Sequence, residues 1–175
     1  MTYDPYALAF PAPAFPVSSS DFTDGGALPQ SCYNTPDGAN ESPALAWGPL
    51  PEGTQSVVVT AYDPDAPIPG GLWHWAVKDI PASATGLAHG AGNEKDPTLP
   101  AGAIQLTSDL GLAAYSGVQP PPGTGPHRLV ICVTALGVEI LNVPEGASLA
   151  LANILMIGHT LGRGIIVATS QAPGA

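Results

Sequence analysis

Two segments of the chain, residues 61–81 and 115–132, constrain its fold more than any other feature. Each runs from a loop rich in proline and glycine into an apolar run. Proline fixes φ and has no N–H to donate, so neither loop can continue a helix or a central strand, whereas the apolar runs are typical of strands. Each segment also places a histidine, His74 or His127, where the loop meets the strand. The sequence therefore predicts two strands that each present a histidine at one end.

Similar apolar runs bounded by turn residues predict a protein built mainly of strands. Both faces of the three longest runs are largely apolar, which is typical of central strands that are covered on each side. We expect these long strands at residues 56–62, 73–80 and 127–136, and shorter strands at residues 44–47, 103–106 and 165–169.

One helix is predicted near the C-terminal end. Ser148 is a suitable N-cap, and leucine and isoleucine recur at helical spacing after it, with Gly162 or Gly164 as the stop.

Residues 84–100 are typical of a mobile surface loop. Many strands, turns rich in proline and glycine, and one late helix favour an antiparallel β-sandwich with short helical turns. The length of 175 residues is typical of a single domain, 1–175, in which residues 1–20 form an extended N-terminal arm.

The charge balance excludes several classes of partner. Fourteen acidic residues oppose four basic ones, which gives a formal net charge of −10. A nucleic-acid-binding surface needs clustered cations to displace counterions, so neither nucleic acid nor an anionic membrane surface is expected to bind. The longest apolar stretch, residues 147–157, is too short to cross a bilayer, and the first residues lack a signal-peptide pattern. We therefore expect a cytoplasmic protein without integral membrane association.

The two cysteines are too few for a framework of disulfides. Cys132 lies within an apolar run and is expected to be a small, buried hydrophobic residue. Cys32 lies in a polar loop, where the sequence indicates no role for it.

The loop before the second long strand carries the first candidate site residues. Its Asp-Pro-Asp-Ala-Pro sequence forces extended backbone, so Asp63 and Asp65, two residues apart, project from the same side. Because such a loop is stiff, a binding site built on it is largely preformed. Arg128, which strand alternation places on the face opposite to His127, is expected to be a structural partner of Asp65 or Asp109.

Strand alternation also predicts the surroundings of the other histidine. Trp73 and Trp75 share one face of the second long strand, and His74 points to the opposite face. The two tryptophans are therefore expected to support His74 rather than to bind a ligand.

Asp63, His74 and His127 together permit three kinds of chemistry. Imidazoles and backbone N–H groups could hold a phosphate-like anion, with Asp63 fixing the tautomer of one histidine. Two histidines and one carboxylate could instead ligate a divalent metal ion, or the same groups could act as general acid and base. The sequence contains no Gly-x-Ser-x-Gly elbow, P-loop or dinucleotide fingerprint that would favour other chemistry.

Several stretches of this chain occur together in a known family. They are Asp63-Pro-Asp-Ala-Pro67, Trp73-His-Trp75, Pro121-Pro-Gly-Thr-Gly-Pro-His-Arg128, Asn40-Glu-Ser-Pro43 with Leu45 and Trp47, and Asp79-Ile-Pro81. In this combination the chain, from about residue 40 to about residue 165, resembles the phosphatidylethanolamine-binding protein family, in particular its bacterial branch, often labelled Raf-kinase-inhibitor-like. The resemblance implies a sandwich of antiparallel sheets with C-terminal helical structure.

The same resemblance implies a function. The pocket of the family binds a small anion such as phosphate, acetate or phosphoethanolamine, without a metal or other cofactor and without catalysis. Regulation of a kinase or protease through the pocket rim, and a homodimer, are further expectations. Carried over by motif, the anion-binding residues are Asp63, Asp65, His74, Gly117, Pro121 and His127, with Trp73, Trp75 and Arg128 as structural support.

Two departures from the family pattern concern the pocket. Leu129 stands where the family usually has tyrosine, and residues 117–121 read Gly-Val-Gln-Pro-Pro where bacterial members commonly have Gly-Pro-Cys-Pro-Pro. Two rival functions stay open at this point. One is a small esterase-like hydrolase that uses the aspartate and the histidines, and the other is an interaction module whose pocket is vestigial.

Overall fold

The computed structural model describes residues 4–7 and 9–172 and contains two antiparallel sheets and one α-helix. Two short 3-10 turns, Gln30–Cys32 and Ile157–His159, complete the regular structure of the described residues. In chain order the strands and the helix are β1 Val17–Ser18, β2 Leu45–Trp47, β3 Ser56–Asp63, β4 Leu72–Pro81, β5 Gly86–Leu87, β6 Ile104–Gln105, β7 His127–Leu136, α1 Leu149–Met156 and β8 Thr160–Ser170.

The larger sheet carries the three long strands predicted from the sequence. Its order is β6-β4-β3-β7-β8, and the smaller sheet has the order β1-β2-β5. All eight residues of β3 are buried, because the smaller sheet covers one face and α1 with the N-terminal arm covers the other. The predicted class, a mainly β protein with antiparallel sheets and a C-terminal helix, is confirmed.

The main hydrophobic core lies between the two sheets. On β3 it takes Val57, Val59 and Ala61, whereas the intervening residues face the outer side of the sheet. The predicted surface loop at residues 84–100 is only partly a loop, because it contains β5 and contributes buried Leu87 and Ala91 to this core. A second, smaller cluster on the outer face consists of Val58, Leu136, Leu141 and Met156.

The helix is shorter than predicted. Ser148 caps α1 as expected, since its hydroxyl accepts a hydrogen bond from the backbone N–H of Leu151 at 3.2 Å. The prediction that Gly162 or Gly164 ends this helix is wrong. α1 ends at Met156, and the final strand already begins at residue 160 rather than at residue 165.

The two glycines lie in β8 because the N-terminal arm crosses directly over them. A Cβ atom on Gly164 would lie 2.3 Å from Cγ2 of Val17 and 2.7 Å from the carbonyl oxygen of Phe15. A Cβ atom on Gly162 would lie 3.0 Å from the carbonyl oxygen of Pro13 in the arm and 2.7 Å from Cγ of Pro51. Glycine is therefore required here for close packing of the arm against the strand, and not as a helix stop.

The N-terminal arm covers the outer edge of β8. Ala14 forms a parallel bridge with Arg163, the backbone N–H of Arg163 donates to Pro13, and the N–H of Phe15 donates back to Arg163. An exposed strand edge invites pairing with other chains, and the arm occupies this edge. Of the predicted arm, residues 1–3 and 8 lie outside the described residues.

A β-bulge at His74 changes the predicted alternation of β4. Ala61 pairs with Trp75, and the next residue of β3, Tyr62, pairs with Trp73, so His74 has no partner of its own. Such an extra residue reverses the side on which the preceding residues project. Trp73 therefore lies on the outer face, where its ring is 4.4 Å from that of Tyr62, while Trp75 is buried in the core. The prediction that the two tryptophans share a face is wrong.

An ion-paired histidine ties together three segments near the smaller sheet. Nδ1 of His89 lies 2.7 Å from Asp21, and Nε2 lies 2.9 Å from Glu41. Hydrogen bonds to Asp21 and then to Glu41 raise the pKa of His89 above its usual value. The bridge anchors the Asn40-Glu-Ser-Pro43 stretch, which supports the site described below.

Substitution of Gly164 by alanine is expected to destabilise the protein by about 1–3 kcal/mol, because the added methyl group overlaps the arm. Gly158→Ala is the matched control, since a Cβ at this position meets no atom within 4 Å. Its free energy of unfolding should stay within about 0.5 kcal/mol of the wild-type value. Urea unfolding of both variants provides the measurement, and equal losses would contradict the close packing of arm and strand.

The His89 bridge is expected to make stability depend on pH. A pKa raised in the folded state stabilises the protein fully below the unfolded value of about 6.5, and the contribution is lost as pH rises through the folded pKa. The stability difference between wild type and His89→Gln should therefore be larger at about pH 6 than at about pH 9. His159→Gln, which changes an exposed histidine, is the control. A difference that does not vary with pH would contradict the bridge.

Candidate functional site

A cavity of about 350 Å³ opens at one end of the larger sheet, where β3 ends and β4 and β7 begin. Asp63, His74 and His127 contribute its polar lining, and each is at most 5% exposed. The surrounding wall comes from the two proline-rich loops and from Leu72, Leu110, Asn34, Gly117 and Gln119. The two junctions that the sequence indicates therefore meet in one cavity.

A hydrogen-bonded chain fixes His127. Its Nδ1 lies 2.8 Å from Oδ2 of Asp63, and its Nε2 lies 2.8 Å from Oγ1 of Thr124. Oγ1 of Thr124 is also 2.7 Å from the carbonyl oxygen of Pro121, to which the hydroxyl donates its proton. The two contacts hold the His127 ring between the buried carboxylate of Asp63 and the hydroxyl of Thr124. The orientation of the ring is therefore fixed.

His74 is held differently and keeps one nitrogen free. Its Nδ1 donates to the carbonyl oxygen of Ser116 at 2.7 Å, since a carbonyl can only accept. Burial lowers the pKa of His74, although the bond to Ser116 and the nearby Asp63 act in the opposite direction. The neutral ring therefore carries a lone pair on Nε2, and this buried atom has no partner among the described residues.

The wall formed by Gly117 depends on close backbone packing. Its N–H donates to Oδ1 of Asn40 at 2.6 Å, and Asn40 itself adopts a left-handed conformation with φ of 55°. A Cβ atom on Gly117 would lie 2.6 Å from both the amide nitrogen of Asn34 and the carbonyl oxygen of Cys32. Glycine at this position thus lets the loop after residue 115 approach the loop at residues 32–34.

Arg128 pairs with Asp65, one of the two partners that the sequence predicted. Its guanidinium binds both carboxylate oxygens of Asp65 at 2.7 Å, and its backbone N–H donates to the same group at 3.0 Å. These hydrogen bonds from Arg128 lower the pKa of Asp65. The pair ties the Asp-Pro-Asp loop to the first residues of β7 and so positions Asp63 beside His127.

Five of the six predicted anion-binding residues line the cavity: Asp63, His74, Gly117, Pro121 and His127. The sixth, Asp65, is outside the lining and is engaged by Arg128. Of the predicted supports, Trp75 is fully buried in the core, and Trp73 is on the other face of the sheet. Binding of an anion by these residues stays a prediction.

Sequence reasoning missed three polar residues around the cavity. The amides of Asn34 and Gln119 line it, and Thr124 holds His127. A threonine between two glycines, three residues before the histidine, is a usable signal for Thr124. Asn34 belongs to a distant loop, and no local pattern marks it.

Leu129 and the two cysteines, which the sequence singled out, lie outside the cavity lining. Leu129 lies two positions after His127 on the same face of β7 and is completely buried in the core, so it replaces the usual tyrosine with apolar packing. Cys132 is buried as predicted, and Cys32 is buried as well. Burial raises the pKa of Cys32 to about 12, so this thiol stays protonated.

The arrangement does not match a metal centre. The described residues contain no group of three or more histidine, cysteine, aspartate or glutamate side chains able to hold a metal ion. Asp63 and His127 contact each other, the backbone N–H of Asp65 donates to Asp63, and Nε2 of His127 contacts Thr124. Of the two imidazoles, His74 alone keeps a ring nitrogen, Nε2, without a partner among the described residues. Nor does any helix in the described part have the length and apolar character to span a membrane.

Several known proteins with similar sequences are UPF0098 proteins. UPF0098 protein YbhB of Escherichia coli is 42% identical over 153 residues, which cover 86% of this chain and 96% of YbhB. UPF0098 protein YbcL of Escherichia coli is 41% identical over 148 residues, covering 83% of this chain and 81% of YbcL. A UPF0098 protein of Aquifex aeolicus is 39% identical and covers 86% of this chain and 85% of its own length.

Solved structures give the same result. The crystal structure of Escherichia coli YbcL, described as a new member of the mammalian PEBP family, matches with a TM-score of 0.84 and 38% identity, covering 90% of this chain and 98% of YbcL. The PEBP homologue CT736 of Chlamydia trachomatis matches with a TM-score of 0.78 and 26% identity, covering 91% and 99% of the two chains. A model of the family described as phosphatidylethanolamine-binding protein matches residues 18–171. The chain therefore belongs to the phosphatidylethanolamine-binding protein family.

Proposed function

We propose that the cavity between the two proline-rich loops binds a small oxyanion, such as phosphate or the phosphate of a lipid head group, and that binding requires a proton at Nε2 of His74. The observation that carries the proposal is this nitrogen, which is buried, unpartnered among the described residues, and part of a ring that lines the cavity. A buried polar atom without a partner costs free energy that a ligand can recover.

The charges around the cavity explain the need for a proton. The lining contains neither lysine nor arginine, and Arg128 is directed to Asp65 instead. The carboxylate of Asp63 faces His127, so the cavity has no excess positive charge while His74 is neutral. An anion can hydrogen-bond to Nε2 only if the ring takes up a proton or the ligand brings one, as phosphate does near neutral pH. Asn34 and Gln119 also line the cavity, and the side chain of each carries an amide that can donate.

The family supports a binding role. The matching family model is that of phosphatidylethanolamine-binding protein, and phosphoethanolamine presents an oxyanion of the required kind. The volume of about 350 Å³ is small for a ligand site and suits a head group or a free anion better than a whole lipid.

One arrangement favours the rival hydrolase. Asp63, His127 and Thr124 form a carboxylate–imidazole–hydroxyl chain like that of a nucleophilic triad. The hydroxyl of Thr124 donates to the carbonyl oxygen of Pro121 at 2.7 Å, however, so its proton is not directed at the ring that would have to remove it. We infer that the chain is structural. Hydrolysis of p-nitrophenyl acetate that is abolished in Thr124→Ala but retained in Thr54→Ala, a threonine far from the cavity, would overturn this inference.

Sulfate tests the proton requirement, because its own charge does not change near neutral pH. Its affinity, measured by calorimetry, should fall by up to tenfold per pH unit between about pH 6 and about pH 8, since each bound ion takes up about one proton. Sulfate affinity falls as pH rises because the pKa of His74 is lowered in the free protein and is raised by a bound anion. Calorimetry in two buffers of different ionisation enthalpy counts the proton directly.

His74→Gln is the informative variant for this experiment. Its amide can donate a hydrogen bond without titrating, so sulfate affinity should lose its pH dependence. His159→Gln, at an exposed position in the 3-10 turn after α1, should keep the wild-type slope. The proposal would be contradicted if sulfate affinity kept its dependence on pH in His74→Gln. It would also be contradicted if the wild type bound neither sulfate nor phosphate at millimolar concentration.

The Arg128→Gln variant tests whether Arg128 stabilises the fold without contacting the ligand. Loss of the bidentate pair with Asp65 should lower the free energy of unfolding by about 1–2 kcal/mol, because the pair is partly buried. Sulfate affinity should change less than about threefold, since Arg128 is outside the cavity lining. Urea unfolding and calorimetry give the two values. A loss of sulfate binding as large as in His74→Gln would mean that Arg128 contacts the ligand.

A further inference from the structure

A second cavity, of about 290 Å³, lies on the outer face of the larger sheet, opposite to the anion cavity. Tyr62 and Trp73 form part of its floor, with their rings 4.4 Å apart. α1 and the turn after it contribute Ile154 and Ile157, and the N-terminal arm contributes Phe10. This cavity exists because the bulge at His74 turns Trp73 away from the core.

The mouth of this outer cavity is unusually apolar for an exposed surface. Phe10 is 60% exposed, Ile154 is 61% exposed and Ile157 is 43% exposed, and all three line the same opening. Scattered exposed hydrophobic residues need no explanation, but a contiguous group around a concave, aromatic floor is typical of a site that binds an apolar group.

One cation lies at the polar side of the outer cavity. Arg163 donates one hydrogen bond to the carbonyl oxygen of Phe10, and no carboxylate of the described residues is within ion-pair distance of its guanidinium. By contrast, Arg128 and Lys78 are each paired with an aspartate. In a chain with a net charge of −10, an arginine without a carboxylate partner beside an apolar cavity is a suitable partner for an anionic head group.

A buried hydroxyl adds a second donor near this arginine. The hydroxyl of Tyr6 is buried and lies near Thr60 and Cys132, but it makes no hydrogen bond of normal geometry with a described residue. Burial raises the pKa of Tyr6, so the hydroxyl keeps its proton and can donate. Tyr6 and Arg163 both line the outer cavity.

We propose that the outer cavity binds a small amphipathic carboxylate, of the medium-chain fatty acid class, with its aliphatic chain between Trp73 and Ile154 and its carboxylate at Arg163. The volume admits a short acyl chain and excludes a diacyl lipid. The aromatic floor and the exposed isoleucines lose contact with water when the chain binds. The site is separate from the anion cavity, since Trp73 and His74 are neighbours that face opposite sides of the sheet.

Decanoate, below its micellar concentration, is the probe, and the indole N–H signals in ¹H–¹⁵N NMR spectra are the readout. Trp47 and Trp75 donate their indole N–H groups to Ala84 and to Gln105, away from the outer cavity. Decanoate should therefore shift the signal of Trp73, assigned with Trp73→Phe, and leave the other two unchanged. The shift should persist in His74→Gln with saturating phosphate, so failure of the anion proposal and failure of this one are distinguishable.

Charge recognition is tested with Arg163→Gln, whose amide can still donate to Phe10. Decanoate affinity should fall by at least about tenfold, the effect expected for a lost hydrogen bond to a charged group. Decanol, which lacks the charge, should bind this variant as it binds the wild type. Arg163→Lys should recover most of the affinity, and Lys95→Gln, an exposed cation elsewhere, should have no effect. Equal losses for decanoate and decanol in Arg163→Gln would overturn the assigned role of Arg163.

Binding of the aliphatic chain in the outer cavity is tested with two isoleucines of equal exposure. Ile154→Ser should weaken both decanoate and decanol, whereas Ile140→Ser, also 61% exposed but outside the cavity, should weaken neither. Absence of any Trp73 shift at submillimolar decanoate would overturn the proposal. So would sedimentation data showing a dimer that Ile154→Ser dissociates without any response to decanoate, because the opening would then be an interface between copies.

Discussion

The burial of β3 along its whole length is the constraint on which the rest of the structure depends. A strand with apolar residues on both faces must be covered twice, so the smaller sheet packs on one side and α1 with the N-terminal arm packs on the other. Its last residue, Asp63, is nevertheless a buried carboxylate, which requires a partner. His127, at the start of the neighbouring strand, provides it at 2.8 Å. The candidate site thus begins where the apolar strand ends.

The bulge at His74 determines which side chains of β4 face the core and which face the outer side of the sheet. Because His74 has no partner on β3, Trp73 and Trp75 project to opposite faces of the sheet. Without the bulge, Trp73 would compete for space in the core and the outer cavity would lose its aromatic floor. The same backbone irregularity holds His74 against Ser116 with one nitrogen free. Bulges commonly re-aim side chains in this way beside binding sites.

The electrostatics of the cavity lined by Asp63, His74 and His127 differ from those of a simple positively charged pocket. The four basic side chains of the chain lie elsewhere, and Arg128 acts by holding Asp65, which in turn orders the loop that carries Asp63. In the function proposed above, recognition depends on hydrogen-bond donors whose protonation responds to the ligand. We expect such a weakly charged cavity to discriminate by proton state and geometry more than by net charge, which is consistent with the acidic surface of the whole molecule.

Local patterns such as apolar runs, proline-fixed loops and alternation predicted the long strands, the antiparallel class, the cap at Ser148 and an ion pair of Arg128 with Asp65 or Asp109, and the motifs indicated the family. They also indicated both histidine junctions. The choice of Asp65, the bulge at His74, the strand conformation of Gly162 and Gly164, and the contribution of Asn34 could be seen in the folded structure alone. These features arise from packing between segments distant in sequence, such as the arm over β8, which override local preferences that favoured regular alternation and a longer helix.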